Sequence, residues 1–248
     1  MLKHRVAYAT LAAALAACGT EETTRLPSVP EIEDPEAYFA LQPCSCWEFV
    51  RADGASPIRL GIAVESVGSD APGSDGEQEY VLTYRVGGLE QRRDVLRLEE
   101  TEVLLRQARV GSQVSTTWIA EPPLPWLVYP VEPRSQAIES DVTLSDFSSV
   151  EEPISTRFRA TYGATTVEGS RDNGETTETF DAVRIRYQGL PFDEGLFRSF
   201  VPELGWVQVE MEVDGARTNF VLHNVRTLGG NCPVAPGDRP DDICGTIN

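Results

Sequence analysis

Lysine is nearly missing from this chain: Lys3 is the only one. That excludes Schiff-base chemistry, a lysine general base and a phosphate-loop lysine anywhere beyond the amino terminus. Histidine is almost as scarce, with only His4 and His223. A single histidine in the body of the chain rules out a multi-histidine metal site. It also makes any Ser-His-Asp hydrolase depend on His223, and no Gly-x-Ser-x-Gly elbow accompanies it. Positive charge is short as well: 21 Lys and Arg stand against 39 Asp and Glu, for a net charge of −18. Such a surface repels nucleic acid and anionic head groups, so no nucleic-acid partner is expected. No apolar run reaches the roughly 20 residues a membrane helix needs. Neither Asp70, Asp75, Glu77 and Glu79 nor Asp238, Asp241 and Asp242 form an EF-hand calcium loop: counted from Asp75, position six is Tyr80 and position twelve Val86 where such a loop needs Gly and Glu. No catalytic set, metal or cofactor is expected.

What is present begins at the amino terminus. Lys3, His4 and Arg5 precede a short apolar run over 6–17, which ends in Leu15-Ala16-Ala17-Cys18 and is followed by Gly19. This resembles a bacterial lipoprotein signal peptide with its lipobox. The resemblance implies cleavage before Cys18, a lipid on the Cys18 sulfur and an acylated amino terminus. Membrane attachment would then run through that lipid alone, and two or more acyl chains give stable anchoring. Gly19, in place of Asp, points to the outer membrane facing the periplasm. Residues 19–35 are rich in Glu, Thr and Pro with no apolar period, the composition of a disordered tether. Fully extended, it would reach at most about 60 Å. The expected division is a signal peptide at 1–17, a lipidated Cys and tether at 18–35, one β-rich domain at 36–228, and a Cys-containing tail at 229–248.

With Cys18 assigned to lipid, Cys44, Cys46, Cys232 and Cys244 remain. An even number in an oxidising compartment reads as disulfides, with three connectivities open. A Cys44–Cys46 bridge would span one residue and be strained. That favours pairing both with Cys232 and Cys244, which would tie the start of the domain to its end. Cys-x-Cys is atypical spacing for zinc.

Period-two alternation dominates the body of the chain. Ile58, Leu60, Ile62 and Val64 show it, as do Tyr80, Leu82, Tyr84 and Val86, then Val183, Ile185 and Tyr187, and most cleanly Val207, Val209, Met211 and Val213. This is the strand signature, with one face buried and one wet. Asp214-Gly215, Gly87-Gly88 and the Glu99-Glu100-Thr101 run mark hairpin turns. Residues 68–78 and 170–177 read as flexible loop tips. Residues 34–41 are the one stretch with helical character, and 101–109 is assigned to strand. The run at 122–133, PPLPWLVYPVEP, carries five prolines. Proline removes ladder donors, so this run is expected to be an extended crossover and not a central strand, with Trp126, Leu127 and Tyr129 packing inward. The fold class is all-β: a curved antiparallel sheet or half-barrel built of hairpins, with a disulfide-tied C-terminal tail.

Three stretches carry a second resemblance. They are Tyr38-Phe39-Ala40-Leu41-Gln42-Pro43 with Trp47-Glu48-Phe49, the Pro-rich run near 122–130, and Thr179-Phe180-Asp181-Ala182 followed by Phe200-Val201-Pro202-Glu203-Leu204-Gly205-Trp206-Val207. Together they resemble a group of uncharacterised exported bacterial β-rich proteins and lipoproteins. Ala40 stands where that group has Pro, and Cys44 and Glu203 stand where it has Gly. The resemblance implies a curved antiparallel sheet and no activity.

Two functions fit. The preferred one is a non-enzymatic envelope lipoprotein whose β scaffold interacts with another envelope component. The alternative is a carrier or sensor for an apolar, lipid-like ligand held against Tyr80, Tyr84, Trp118, Trp126, Phe200 and Trp206. A hydrolase built around His223 comes last.

Overall fold

The computed structural model describes residues 32–54, 59–67, 79–111, 114–147, 152–213 and 215–227. The signal peptide, Cys18, most of the tether, the 68–78 loop, and Cys232 and Cys244 with the tail around them lie outside these. A short helix, α1 (Pro35–Tyr38), precedes β1 (Ser45–Arg51), β2 (Arg59–Val67), β3 (Glu79–Val86), β4 (Leu89–Leu98), β5 (Glu102–Val110) and β6 (Thr116–Val128). The chain continues with β7 (Ile138–Asp146), β8 (Ile154–Gly169), β9 (Glu178–Gln188), β10 (Phe197–Val201), β11 (Gly205–Val213) and β12 (Ala216–Thr227).

Every strand pairs antiparallel with its sequence neighbours, and β1 pairs with β12 from Ser45↔Thr227 to Arg51↔Phe220. The sheet is therefore a closed twelve-strand barrel. This corrects the expected half-barrel. An open sheet would leave β1 and β12 as bare edges, and their pairing removes both. Cys44 and Cys46, at the start of β1, are buried and disulfide-bonded.

The prolines of β6 correct a second expectation, because residues 122–128 continue a strand. Two features accommodate the missing donors. The β5–β6 register slips at Val103/Leu104 and at Leu105/Gln107. β7 pairs with β6 only from Trp118 to Glu121, so the proline-bearing half has a neighbour on one side only. The Glu121–Pro122 and Tyr129–Pro130 bonds are cis. Leu124, Trp126 and Leu127 are buried.

The 170–177 tip is a built turn and not a free loop. β11 accompanies β12 only as far as Val221. Beyond it the tip takes over the exposed edge: the Ser170 N–H donates to the Leu222 carbonyl, the Val225 N–H donates to the Arg171 carbonyl, and Asp172 bridges Asn224.

Because neighbours alternate in direction, connections fall at two poles. The near pole holds α1, the 99–101, 129–137 and 202–204 connections, the 170–177 tip and the end of β12. Asp34 caps α1, its side chain accepting from the Ala37 N–H. Phe39 and Leu41 then enter the barrel mouth. The Tyr38 hydroxyl accepts from the Val131 N–H, and the Trp47 indole donates to the Leu204 carbonyl at 2.7 Å. Tyr80 donates to Glu36. The far pole holds the turn at 87–88, Gly111, residues 114–115, Phe147, the connection at 189–196 and Gly215.

Candidate functional site: a buried guanidinium–carboxylate cluster

Eight strands make a barrel whose interior side chains just fill; twelve enclose more. Here the extra interior is occupied by aromatic rings and by four charged groups. Tyr84 on β3 lies directly across from Arg92 on β4, and Asp94, two residues on, shares the Arg92 face. Arg198 comes from β10. Asp193 comes from the 189–196 connection, which turns inward at the far pole and inserts its carboxylate between strands. Leu190 and Leu196 are buried on either side of it, and Asp193 itself is 0% exposed.

The geometry is a chain of charges. Arg92 Nε donates to Asp94 Oδ1 at 2.6 Å, and Arg92 Nη1 donates to Asp193 Oδ2 at 2.7 Å. Arg198 reaches Asp193 more loosely, with Nη1 and Nη2 at 3.4–3.5 Å. The four formal charges cancel. Burial opposes the Arg92 charge, but Asp193 and Asp94 more than offset this and hold its pKa above the ordinary value. Burial pushes the Tyr84 hydroxyl up, and Asp94 pushes it the same way. Arg92 Nη2, Arg198 Nε, Asp94 Oδ2 and Tyr84 Oη have no hydrogen-bond partner among the described residues.

Aromatic faces surround the cluster. Trp126 and Tyr187 stack at 3.9 Å with their planes 3° apart, and the Tyr187 hydroxyl donates to the Trp126 carbonyl. The Arg198 Cζ lies 4.8 Å from the Trp126 centroid and 5.9 Å from that of Trp206. The Arg92 Cζ lies 5.4 Å from the ring of Phe192, which itself leans on Trp118.

The six aromatics picked out in the sequence therefore divide. Tyr84, Trp126 and Trp206 converge on Arg198, and Phe200 packs edge-on against Trp206. Trp118 leans on Phe192, whose ring lies over the Arg92 guanidinium. Tyr80 stands apart, bonded to Glu36 at the near pole. The volume they were expected to line contains the two arginines and two aspartates. Sequence reasoning missed all four of these charges. In the run Arg92-Arg93-Asp94 both faces of the strand read as polar, and Asp193 sits in a Gly-bounded stretch that reads only as a loop.

His223 lies at the irregularity where β1 and β12 lose register, against Gly174 of the hairpin tip. Burial lowers its pKa, and Arg59 adds to the effect. Its imidazole makes no hydrogen bond among the described residues. The Ser170 hydroxyl is nearby but donates to Asp172 at 2.6 Å. The hydroxyl is thus committed to a turn and not to an imidazole. Glu79 pairs with Arg106, and the other acids considered for calcium lie outside the described residues. Among the described residues, no three His, Cys, Asp or Glu side chains are placed to hold a metal ion.

No family model matches this chain, and no curated protein matches it. Among solved structures it is similar to a candidate lipoprotein from Parabacteroides distasonis ATCC 8503, at 12% identity and a TM-score of 0.38, over 75% of this chain and 98% of that one.

Proposed function

We propose that this protein is a non-enzymatic lipoprotein of the bacterial envelope. In this reading Cys18 carries the lipid, and the barrel docks another envelope protein through its far pole. The anchoring half rests on the Leu15-Ala16-Ala17-Cys18 lipobox. The reading places the protein at the outer membrane, facing the periplasm. It pairs Cys44 and Cys46 with Cys232 and Cys244, so that both ends of the domain are fastened at the near pole, where the tether joins.

The observation that carries the docking half is the position of the exposed apolar residues. Among the described residues, the large hydrophobics left in solvent are Leu89, Val114, Phe147 and Ile154. All four belong to far-pole turns or strand ends, on the arc from β3 to β8. Val114 is 89% exposed and Phe147 80%. Single exposed hydrophobics need no explanation, but an arc of them at one pole has the character of an interaction surface. Phe147 also walls an outer-face groove of about 560 Å³, floored by Val81, Val95 and Ile119. The arc faces away from the pole that the tether joins, which favours a protein partner over the anchoring bilayer.

Two measurements in the native host test the two halves. Cys18→Ser should move the protein from the membrane fraction to the soluble fraction; a variant that stays membrane-bound removes the anchoring half. A photo-crosslinking residue at position 147 or 114 should give a discrete protein adduct, while one at position 226, near the other pole, should not. Equal labelling at all three positions, or none, removes the docking half.

A further inference from the structure

We propose that the space between Arg92 and Arg198 is a binding site for a small aromatic carboxylate. Phe192 and Asp193 of the 189–196 plug sit in it as an intramolecular stand-in. This inference stands apart from how the chain is anchored.

Four observations carry it. First, an ion cluster is a poor way to fill a core: replacing buried ion pairs by apolar groups of similar volume is often neutral or stabilising. Stability alone therefore does not account for two arginines in this interior.

Second, Asp193 fits only one of its two partners. Its bond to Arg92 is 2.7 Å, but its contacts to Arg198 are 3.4–3.5 Å, whereas charge-assisted bonds run about 2.7–2.9 Å. Arg92 Nη2, Arg198 Nε and Tyr84 Oη are fully buried and unpartnered. The site offers more donors than Asp193 uses.

Third, the plug has the chemistry of the proposed ligand. Asp193 supplies a carboxylate, and Phe192 supplies an adjoining ring, placed over the Arg92 guanidinium and beside Trp118. Trp126 and Tyr187 provide further flat apolar walls at 4.8 and 5.5 Å from the Arg198 Cζ. An aromatic carboxylate would meet the same guanidiniums and the same rings.

Fourth, the plug can leave. Gly189 (φ +80°) and Gly195 (φ +72°) bracket it in backbone conformations that only glycine adopts freely. Outside the cluster, three bonds tie it to the barrel: Gly195 N–H to the Tyr187 carbonyl, Tyr187 N–H to the Leu196 carbonyl, and Arg217 Nη2 to the Glu194 carbonyl. The others, Asp193 N–H to the Leu190 carbonyl, Leu196 N–H to the Asp193 carbonyl and Gly189 N–H to the Glu194 carboxylate, lie within the 189–196 connection and can move with it. A cavity of about 430 Å³ lies between the plug and the far-pole rim, lined by Phe192, Glu194 and Leu196 on one side and Gln91, Glu212 and Arg217 on the other. It is both the way in and the room for a displaced plug. Because the incoming carboxylate replaces the Asp193 carboxylate, neither arginine is left buried without an anion.

A competitor on a short tether acts at roughly millimolar effective concentration. Wild-type protein should therefore bind a free ligand weakly, and removing the tethered carboxylate should tighten binding. The probe is benzoate, with benzamide as the uncharged control, titrated calorimetrically against the soluble chain beginning at Thr20. Benzoate should bind at one site and benzamide should not. Asp193→Ala should bind benzoate at least about tenfold more tightly than wild type does. Should Asp193→Ala fail to fold, wild-type hydrogen exchange decides alone. At about 50 mM benzoate, well above the tether's effective concentration, the amides of Asp193, Gly195 and Leu196 should exchange faster than with 50 mM benzamide. Benzoate binding that leaves those amides unchanged, or no binding to either protein, overturns the proposal.

Discussion

Cys44 and Glu203 hold left-handed backbone, with φ of 68° and 67°. On the resemblance set out in the sequence analysis, glycine would be expected at both positions. A side chain in that conformation costs roughly 1–2 kcal/mol. The reversal at 202–205 is legible from Pro202 and Gly205; that Cys44 and Glu203 hold left-handed backbone without being glycine is not. Ala40, at φ 55°, adopts an angle that proline cannot. Glu203 is exposed, so removing its side chain loses little packing. Glu203→Gly should raise stability by roughly 0.5–1 kcal/mol, the relieved strain being partly offset by a freer unfolded chain. Urea unfolding should show a higher midpoint at unchanged slope. The central charges show the opposite limit of residue-level reading. Periodicity marks which strand face is buried only when the other face is more polar. On β4, Arg92 and Asp94 point inward while Arg93 and Arg97 lie on the other face, so the pattern carries no sign of the interior.

At the scale of elements, hairpins and turns follow from local chemistry. Gly87-Gly88 takes positive φ at both positions, as a two-residue hairpin requires. β11 and β12 pair down to Val213↔Ala216, and Gly215 takes a positive φ, as expected of a hairpin there. Elements go astray where pairing is long-range. The prolines of β6 argue against a strand until the one-sided pairing beside them is known. The 170–177 tip reads as a loose loop until the bare edge of β12 gives it a partner. That tip is also electrostatically specified. The Ser170 hydroxyl, the Thr176 hydroxyl and the Thr176 N–H all donate to the Asp172 carboxylate, in that order of effect, and hold its pKa down at about 2. A carboxyl depressed in the folded state contributes stability above its unfolded value of about 3.9, and that contribution is lost as pH falls toward about 2. Asp172→Asn should therefore be less stable than the parent at pH 6, and the two should converge near pH 2. Urea midpoints measured across that range check it; a gap that persists at pH 2 would assign the loss to geometry and not to charge.

For the whole molecule, composition and alternation establish an all-β chain, and the signal-like amino terminus suggests where it works. Closure is invisible to both. No local pattern says that residues 45–51 and 216–227, the two ends of the domain, lie side by side. Yet that single pairing closes the barrel, with a packed interior and two distinct poles. One pole holds α1 and the end of β12; the other holds the apolar arc and the plug. The proposed anchoring, docking and ligand site all rest on that polarity, so closure is the claim on which the rest depends. It is tested most directly by residue-resolved hydrogen exchange on the oxidised soluble chain. The β1 amides from Trp47 to Val50, and their β12 partners from Val221 to Val225, should be protected to the same degree as the central β8–β9 pair. Fast exchange along one side of β1 or β12, with β8 and β9 still protected, would mean an open sheet with two edges and would contradict the barrel.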